Sequence, residues 1–306
     1  MNNFSVREAL SARTFLDAGD CWHLYTPENH PVIFASRELF KVGMNLMGIC
    51  ARLMPKVRIY TFQLMSNHIH VVVGGSKEDV IRFFELFRKL LSRYLKANNL
   101  MYDLAGFECQ LRKIETLKDM KNVIVYDNRN GYLVSPDETP FSYPWGSNRY
   151  YFNPDAKARF MESDSKLGIR EIQKCTRSHI ANGIKSLKTL DGYACPMDFC
   201  YIKEGESMFH NASQYFYWIS KNIESNSAIA KEISENVFYT DDELFSILSR
   251  MSREKYGSNY LRGLPRESKI EMAKTMHYDY NAGNDRIARM LDIDISVVNA
   301  LFRAKY

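Results

Sequence analysis

Two histidines spaced two residues apart, His68 and His70, stand between apolar runs in the stretch 60–73, YTFQLMSNHIHVVV. Imidazole is the commonest metal-binding side chain, and its ordinary pKa lies close to neutrality. On a strand, successive side chains alternate between faces, so histidines at i and i+2 project side by side. Such a pair can hold a divalent metal between its ring nitrogens. The plainer reading is a pair of hydrogen-bonded histidines on a half-buried strand. Spacing alone leaves both open, so the surrounding chain has to decide.

The chain has 306 residues, enough for one large domain or a core domain with appendages. Its 45% hydrophobic and 25% charged residues are ordinary for a soluble globular protein. A net charge of +5 tilts mildly toward an anionic partner without requiring one. None of the six cysteines forms a CxxC pair, and no histidine follows Cys195 and Cys200 at zinc-finger spacing. That argues against a structural zinc site and for reduced thiols in the cytoplasm. No apolar run follows a basic start and no stretch reaches transmembrane length, so no membrane is expected.

The elements that must position the histidines read as follows. Residues 1–17 show no strong pattern and form a lead-in arm. Residues 21–25, CWHLY, suit a short strand, and 26–31 a turn. Ser36 can cap a helix through about Leu53, with Phe40, Met44, Met47 and Cys50 on its apolar face. Gly43 and Gly48 weaken that helix by roughly 1 kcal/mol each, so packing must hold it. Residues 57–73 read as one strand, kinked or bulged before Ser66. Ser76 and Asp79 suggest a cap for a helix over 78–98. Its buried stripe is Ile81, Phe84, Leu86, Phe87, Leu90, Leu91 and Leu95, with Arg82, Lys89, Arg93 and Lys96 on the other side. Residues 107–116 read as a strand and 118–130 as a helix ending at Gly131. The few short strands favour an α+β fold, a ferredoxin-like α/β sandwich, over a doubly wound one.

Beyond it, 133–151 interleaves prolines with aromatics and should wrap the sheet or close over the site. Residues 153–240 read as a helical connecting region, with helical character at 157–179 and 213–236. The end is helical over 241–251, 265–278, 284–291 and 296–305. The last two helices, joined by 292–295 and carrying Arg286, Arg289, Arg303 and Lys305, fit a helix-turn-helix. A plain helical hairpin used for packing is the alternative. The domains expected are therefore 15–152, 153–240 and 241–306.

SNHIHVVV, preceded by Leu64 and Met65, resembles the HUH motif (His, apolar residue, His) of single-tyrosine nucleases. The wider pattern is similar to that of the REP-associated tyrosine transposases and their insertion-sequence relatives, with Ser66 where proline is usual. A second stretch, 125–147, VYDNRNGYLVSPDETPFSYPWGS, is similar to that family's second signature. Here Gly131 stands where proline is commoner and Gly146 replaces a serine. The resemblance covers roughly residues 15–150. Toward the C-terminus, RIARMLDIDISVVNALF resembles helix-turn-helix regions appended to part of the family.

The resemblance implies Tyr126 as nucleophile and His68 and His70 as metal ligands. Asn130, one helical turn after Tyr126 and so on the same face, can supply an amide oxygen as third ligand. Two nitrogens and an oxygen, with positions left for water and phosphate, suit Mg2+ or Mn2+. A phenol of pKa about 10 attacks phosphate poorly unless the phosphate is polarised, which a Lewis acid would do. The implied reaction is cleavage and rejoining of single-stranded DNA at hairpin-associated sites through a 5′-phosphotyrosine. Lys89, Arg93, Lys96, Arg112, Lys113, Arg286, Arg289 and Arg303 are candidate DNA contacts. Tyr143, Trp145 and Tyr150 are candidates for stacking on bases, Trp145 being the one best suited to the core. Insertion-sequence relatives pair as homodimers, which nothing in these residues demands. The alternatives are a catalytically silent DNA-binding regulator of the same fold, or a relaxase or replication-initiator nuclease. Relaxases usually carry a third metal-binding histidine and often more than one tyrosine, which ranks that alternative lower.

Overall fold

The histidine stretch folds back on itself. Arg58–Leu64 (β2) and Ile69–Gly74 (β3) are antiparallel neighbours, paired from Arg58 with Gly74 to Leu64 with Ile69. The single kinked strand expected over 57–73 is thereby corrected to a hairpin. Ser66 and Asn67, polar residues that favour turns, sit in its reversal, where Met65 N donates to His68 O at 2.9 Å. The computed structural model describes residues 3–100, 102–133, 142–180, 183–184, 186–221, 229, 239, 241–258, 261 and 263–302.

Two further strands, Cys21–Tyr25 (β1) and Gln110–Ile114 (β4), complete a four-stranded antiparallel sheet in the order β2-β3-β1-β4. The helix Arg37–Leu53 (α2) links β1 to β2, and Lys77–Ala97 (α3) links β3 to β4. The chain order across the sheet is thus β-α-β-β-α-β, an α+β arrangement. Residues 3–18, expected as an arm, form a helix, Asn3–Ala18 (α1). Val6, Leu10 and Leu16 on it are exposed. Ser11 Oγ donates to Ser207 O at 2.8 Å and Arg7 to His210 O at 3.3 Å. A helix held in part by polar contacts carries little periodic signal.

Sheet pleat divides the buried groups into two sets. Leu24, Phe62, Leu64, Ile69, Val71 and Val73 belong to one hydrophobic cluster with Met44, Met47, Phe83, Phe84, Phe87 and Leu90 of α2 and α3. Both helices start at serine caps, Ser36 Oγ accepting from Leu39 N and Ser76 Oγ from Asp79 N. Gly43 is needed for close approach, since a Cβ there would lie 2.8 Å from Leu64 Cδ1 and from Phe34 Cε1. Ile81, expected in the buried stripe of α3, is exposed; Val80 and Phe83 take its place, one helical step around.

The opposite face of the sheet carries most of the polar residues: His23, Tyr25, Thr61, Gln63 and His70 share it with Cys21 and Val72. It is covered by Leu117–Leu133 (α4). This helix continues through Gly131 instead of ending there. Gly131 is required by packing, because a Cβ would meet Tyr143 Cδ1 at 2.6 Å and Gln63 Oε1 at 2.8 Å.

Past residues 134–141, which lie outside the described residues, the chain runs along the free edge of β2. Leu64 N donates to Trp145 O at 2.8 Å, Ser147 N donates to Phe62 O at 3.1 Å, and Gln63 bridges Gly146. This pairing covers an edge that would otherwise present unpaired backbone groups. Pro154–Glu162 (α5), Ile169–Thr176 (α6), Pro196–Phe199 (α7), Ile202–Ser207 (α8) and Ala212–Lys221 (α9) follow. A small three-stranded sheet of Lys166–Leu167 (β5), Leu187–Leu190 (β6) and Tyr193–Ala194 (β7) lies among them. Ile172, Cys175, Leu187 and Phe199 share the cluster formed by α2, α3 and the main sheet. The compact unit accordingly runs from Met1 to Asn222, past the boundary at 152 expected from sequence.

The second unit, Ile223–Tyr306, has a core of its own. Its helices include Asp241–Tyr256 (α10), Arg266–Tyr278 (α11), Asn284–Leu291 (α12) and Ile295–Leu301 (α13). Leu244, Leu248, Met272, Met276, Ile287, Leu291 and Val298 interlock there. Asp292 ends α12 at φ +53°, and Asp294 caps α13 by accepting from Ser296 N. Among the described residues no helix is long and apolar enough to cross a membrane.

Candidate metal and tyrosine centre

The hairpin turn and β3 bring His68 and His70 together, with ring centroids 5.0 Å apart and ring planes nearly perpendicular. His70 is fully buried on the α4 face of β3, while His68 sits half-buried in the turn before it. Asn67 fixes the state of His68. Its Nδ2 faces two carbonyls, Glu28 O and His30 O, the latter at 3.0 Å. Its Oδ1 therefore faces His68 Nδ1, at 2.8 Å, and a carbonyl oxygen can only accept. His68 must then carry its proton on Nδ1, which leaves Nε2 with a bare lone pair. Burial pushes the His68 pKa down to about 4. Burial, then His68 and His23, hold His70 well below the ordinary value. Neutral rings with an available lone pair are what metal ligation needs.

α4 delivers the other candidates. Tyr126 is 4% exposed, with its ring centroid 5.7 Å from that of His70 and 6.0 Å from that of His23. Asn130, one turn on, places Nδ2 3.4 Å from His70 Nε2. Amide oxygen and nitrogen are assigned by their surroundings, and exchanging them turns Oδ1 toward the same ring nitrogen. His68, Tyr126 and Asn130 thus gather around His70, although 68–70 and 126–130 are far apart in sequence. Two imidazoles and one amide are donor types that a divalent ion accepts.

Two residues that the sequence reading did not single out complete the surroundings. His23 of β1 places Nε2 3.3 Å from His70 Nδ1, and Asp127 of α4 places Oδ1 3.0 Å from His23 Nε2 and 4.0 Å from His70 Nδ1. All three side chains are fully buried. Neither oxygen of Asp127 has an aligned hydrogen-bond donor, His23 being close but not directed at it. Burial raises the Asp127 pKa and His23 opposes the rise. Together His23, His70 and Asp127 form a buried group that could hold a metal ion. A charged residue directly after the apolar run 123–126, VIVY, was the available signal for Asp127. His23 gave only its alternation with Cys21 and Tyr25, and its nearness to His70 follows from strand order.

The stretch 143–148 holds α4 in place through a buried polar network. Thr61 Oγ1 donates to Asn128 Oδ1 and lies 2.6 Å from Ser147 Oγ. Asn128 Nδ2 donates to Tyr215 OH at 2.8 Å, Tyr215 OH to Asn148 Oδ1 at 2.6 Å, and Asn148 Nδ2 to Asn128 O at 2.9 Å. Buried networks satisfied this fully fix one arrangement of their elements. Gly146 leaves the space that Gln63 fills, for a Cβ would meet Gln63 Oε1 at 2.1 Å and Phe62 O at 2.6 Å. Comparison with family models, with curated proteins and with solved structures finds no match.

The proposed nucleic-acid contacts are scattered. Lys89, Arg93 and Lys96 lie on α3, across the sheet from Tyr126, with Lys89 and Lys96 exposed. Arg112 forms a two-point ion pair with Asp119 at 3.2 and 2.9 Å. Lys113 meets Asp20 at 3.3 Å and lies over the Trp22 ring. In the second unit Arg286 and Arg289 both bind Asp241, while Arg303 lies outside the described residues. Tyr143 and Tyr150 are buried, and the half-buried Trp145 stacks on Phe40 with centroids 4.9 Å apart, so all three take part in packing.

Proposed function

We propose that the chain is a metal-dependent transesterase of single-stranded DNA, built on a ferredoxin-like core of the HUH single-tyrosine type. The observation that carries this reading is the gathering of His68, Tyr126 and Asn130 around His70. The β-α-β-β-α-β order and the strand order β2-β3-β1-β4 support the ferredoxin-like core. A divalent ion bound by His68, His70 and Asn130 would draw charge from a scissile phosphate. Asn67 keeps His68 in the ligating tautomer, and Asn130 faces the ligating nitrogen of His70. Tyr126 Oη forms the bond to phosphorus and gives up its proton. The P–O3′ bond breaks and the 3′ oxygen leaves as a hydroxyl, with the 5′ side held as phosphotyrosine. The reverse attack by a 3′-hydroxyl rejoins strands without a nucleotide cofactor. In the second unit, α12, the turn 292–294 and α13 support a helix-turn-helix that binds DNA.

A second reading, a catalytically silent DNA-binding regulator, is favoured by one observation: Tyr126 is 4% exposed, and a nucleophile must reach its phosphate. One experiment separates the two. The full chain is incubated with labelled single-stranded hairpin DNA and Mn2+, and adducts surviving denaturation are counted. The transesterase reading expects an adduct lost in Tyr126→Phe, and cleavage lost in His68→Ala with hairpin binding kept. Binding without an adduct on any strand supports the regulator, and an adduct persisting in Tyr126→Phe removes Tyr126 as nucleophile.

A further inference from the structure

Behind the proposed catalytic ligands, three lone-pair-bearing atoms converge with too few protons to satisfy them. His23 Nε2, His70 Nδ1 and Asp127 Oδ1 lie 3.3, 3.0 and 4.0 Å apart in pairs. A neutral imidazole carries one N–H in all; the other nitrogen of His70 faces Asn130, and that of His23, Nδ1, has no hydrogen-bond partner among the described residues. If His70 Nδ1 holds a proton and gives it to His23 Nε2, that nitrogen presents a lone pair to Asp127. If His23 Nε2 holds the proton, one N–H faces two acceptors. In the first case the fully buried Asp127 carboxylate has no donor, and in the second it shares one N–H that is not aligned on it, an arrangement costly away from water.

We propose that His23, His70 and Asp127 form a binding site for a zinc-class transition metal, separate from the His68–His70–Asn130 set. A point in the plane of the three donor atoms lies about 2.0 Å from each of them, the length of a zinc–nitrogen or zinc–oxygen bond. Two imidazoles and one carboxylate are a zinc donor set. Mg2+ is disfavoured because it keeps several waters in an octahedral shell, and all three of these side chains are fully buried. The cation replaces the missing donors and balances the carboxylate.

The two sets share His70, and this has a consequence for the function proposed above, on which it rests. A neutral ring ligating through Nδ1 keeps its proton on Nε2, the nitrogen that faces Asn130. His70 therefore serves one metal at a time, and zinc in the rear site disables the front one.

Metal-free full chain is titrated with Co2+, read by its visible ligand-field absorption, and the bound Co2+ is then displaced with Zn2+. Asp127→Asn and His23→Gln, both close in shape to the native residues, should each weaken binding by ~10-fold or more. Circular dichroism checks that each variant folds. The Co2+ absorption should survive in His68→Ala and in Asn130→Ala, which remove only ligands of the front set. Loss of the signal in His68→Ala or Asn130→Ala, with Asp127→Asn unaffected, would put the metal in the front set and overturn the proposal. Absence of any Co2+ binding would also overturn it, leaving the trio a buried ion pair. A DNA adduct in Mn2+ tests the transesterase reading independently, because neither result predetermines the other.

Discussion

At the scale of single residues, the centre depends on which ring nitrogen holds a proton. Asn67 settles that for His68, because its amide nitrogen is committed to two carbonyls. The lowered pKa of His68 and His70 has a thermodynamic counterpart in the metal-free protein. The unfolded chain, with ordinary histidines near 6.5, takes up protons before the folded chain does. Stability present above about pH 6.5 is therefore lost as pH falls toward 4. Thermal melts in chelator should show the midpoint dropping by several degrees over that window. His68→Gln, which removes one titrating group, should flatten the profile; an unchanged profile would mean that His68 is solvated like a free imidazole.

At the scale of elements, two glycines and one glutamine decide how α4 lies on the sheet. Gln63 Oε1 occupies the space a Cβ would need at Gly131 and at Gly146. These are the two positions where the stretch 125–147 departs from the second signature it resembles, so those departures are coupled through one side chain. Gly146→Ala should cost about 1–3 kcal/mol, the range for forcing atoms into a filled interior. Adding Gln63→Ala should recover part of that loss, because the contact with Phe62 O remains. A double-mutant cycle by urea unfolding checks this. Strict additivity would mean that Gln63 swings aside and that the glycines answer to something else. Serine caps on α2 and α3 were readable directly, as Ser36 and Ser76 bond the residues three positions on. The hairpin at 65–68 was not, because a polar break inside an apolar run serves a bulge and a turn equally well.

At the scale of the whole molecule, two cores imply two folding units. Met1–Asn222 is built around the main sheet and its helices, and Ile223–Tyr306 around α10 to α13. Domains with separate cores unfold as separate cooperative transitions. Differential scanning calorimetry of the full chain should resolve two of them, and a fragment ending at Asn222 should retain the larger with its midpoint unchanged. A single transition, with the fragment unfolded, would show that the units fold as one. The 152/153 boundary looked natural in sequence because resemblance stops near 150. It does not mark an edge of packing, since Ile172, Leu187 and Phe199 complete the first core.

The sequence by itself determined the helices with strong periodicity, their caps and the short strand 21–25, features that are local or rest on spacing along one element. The grouping of His68 and His70 with Tyr126 and Asn130 came from the resemblance and not from spacing. Tertiary structure alone decided that His23 stands beside His70, because β1 is inserted between β3 and β4 and cross-strand register leaves no mark on a single sequence. It likewise decided that Asp127 turns inward with them, since a helix covered on several sides buries residues that periodicity would assign to solvent. The histidine pair was visible from the start, and the buried trio behind it exists only once the sheet has closed.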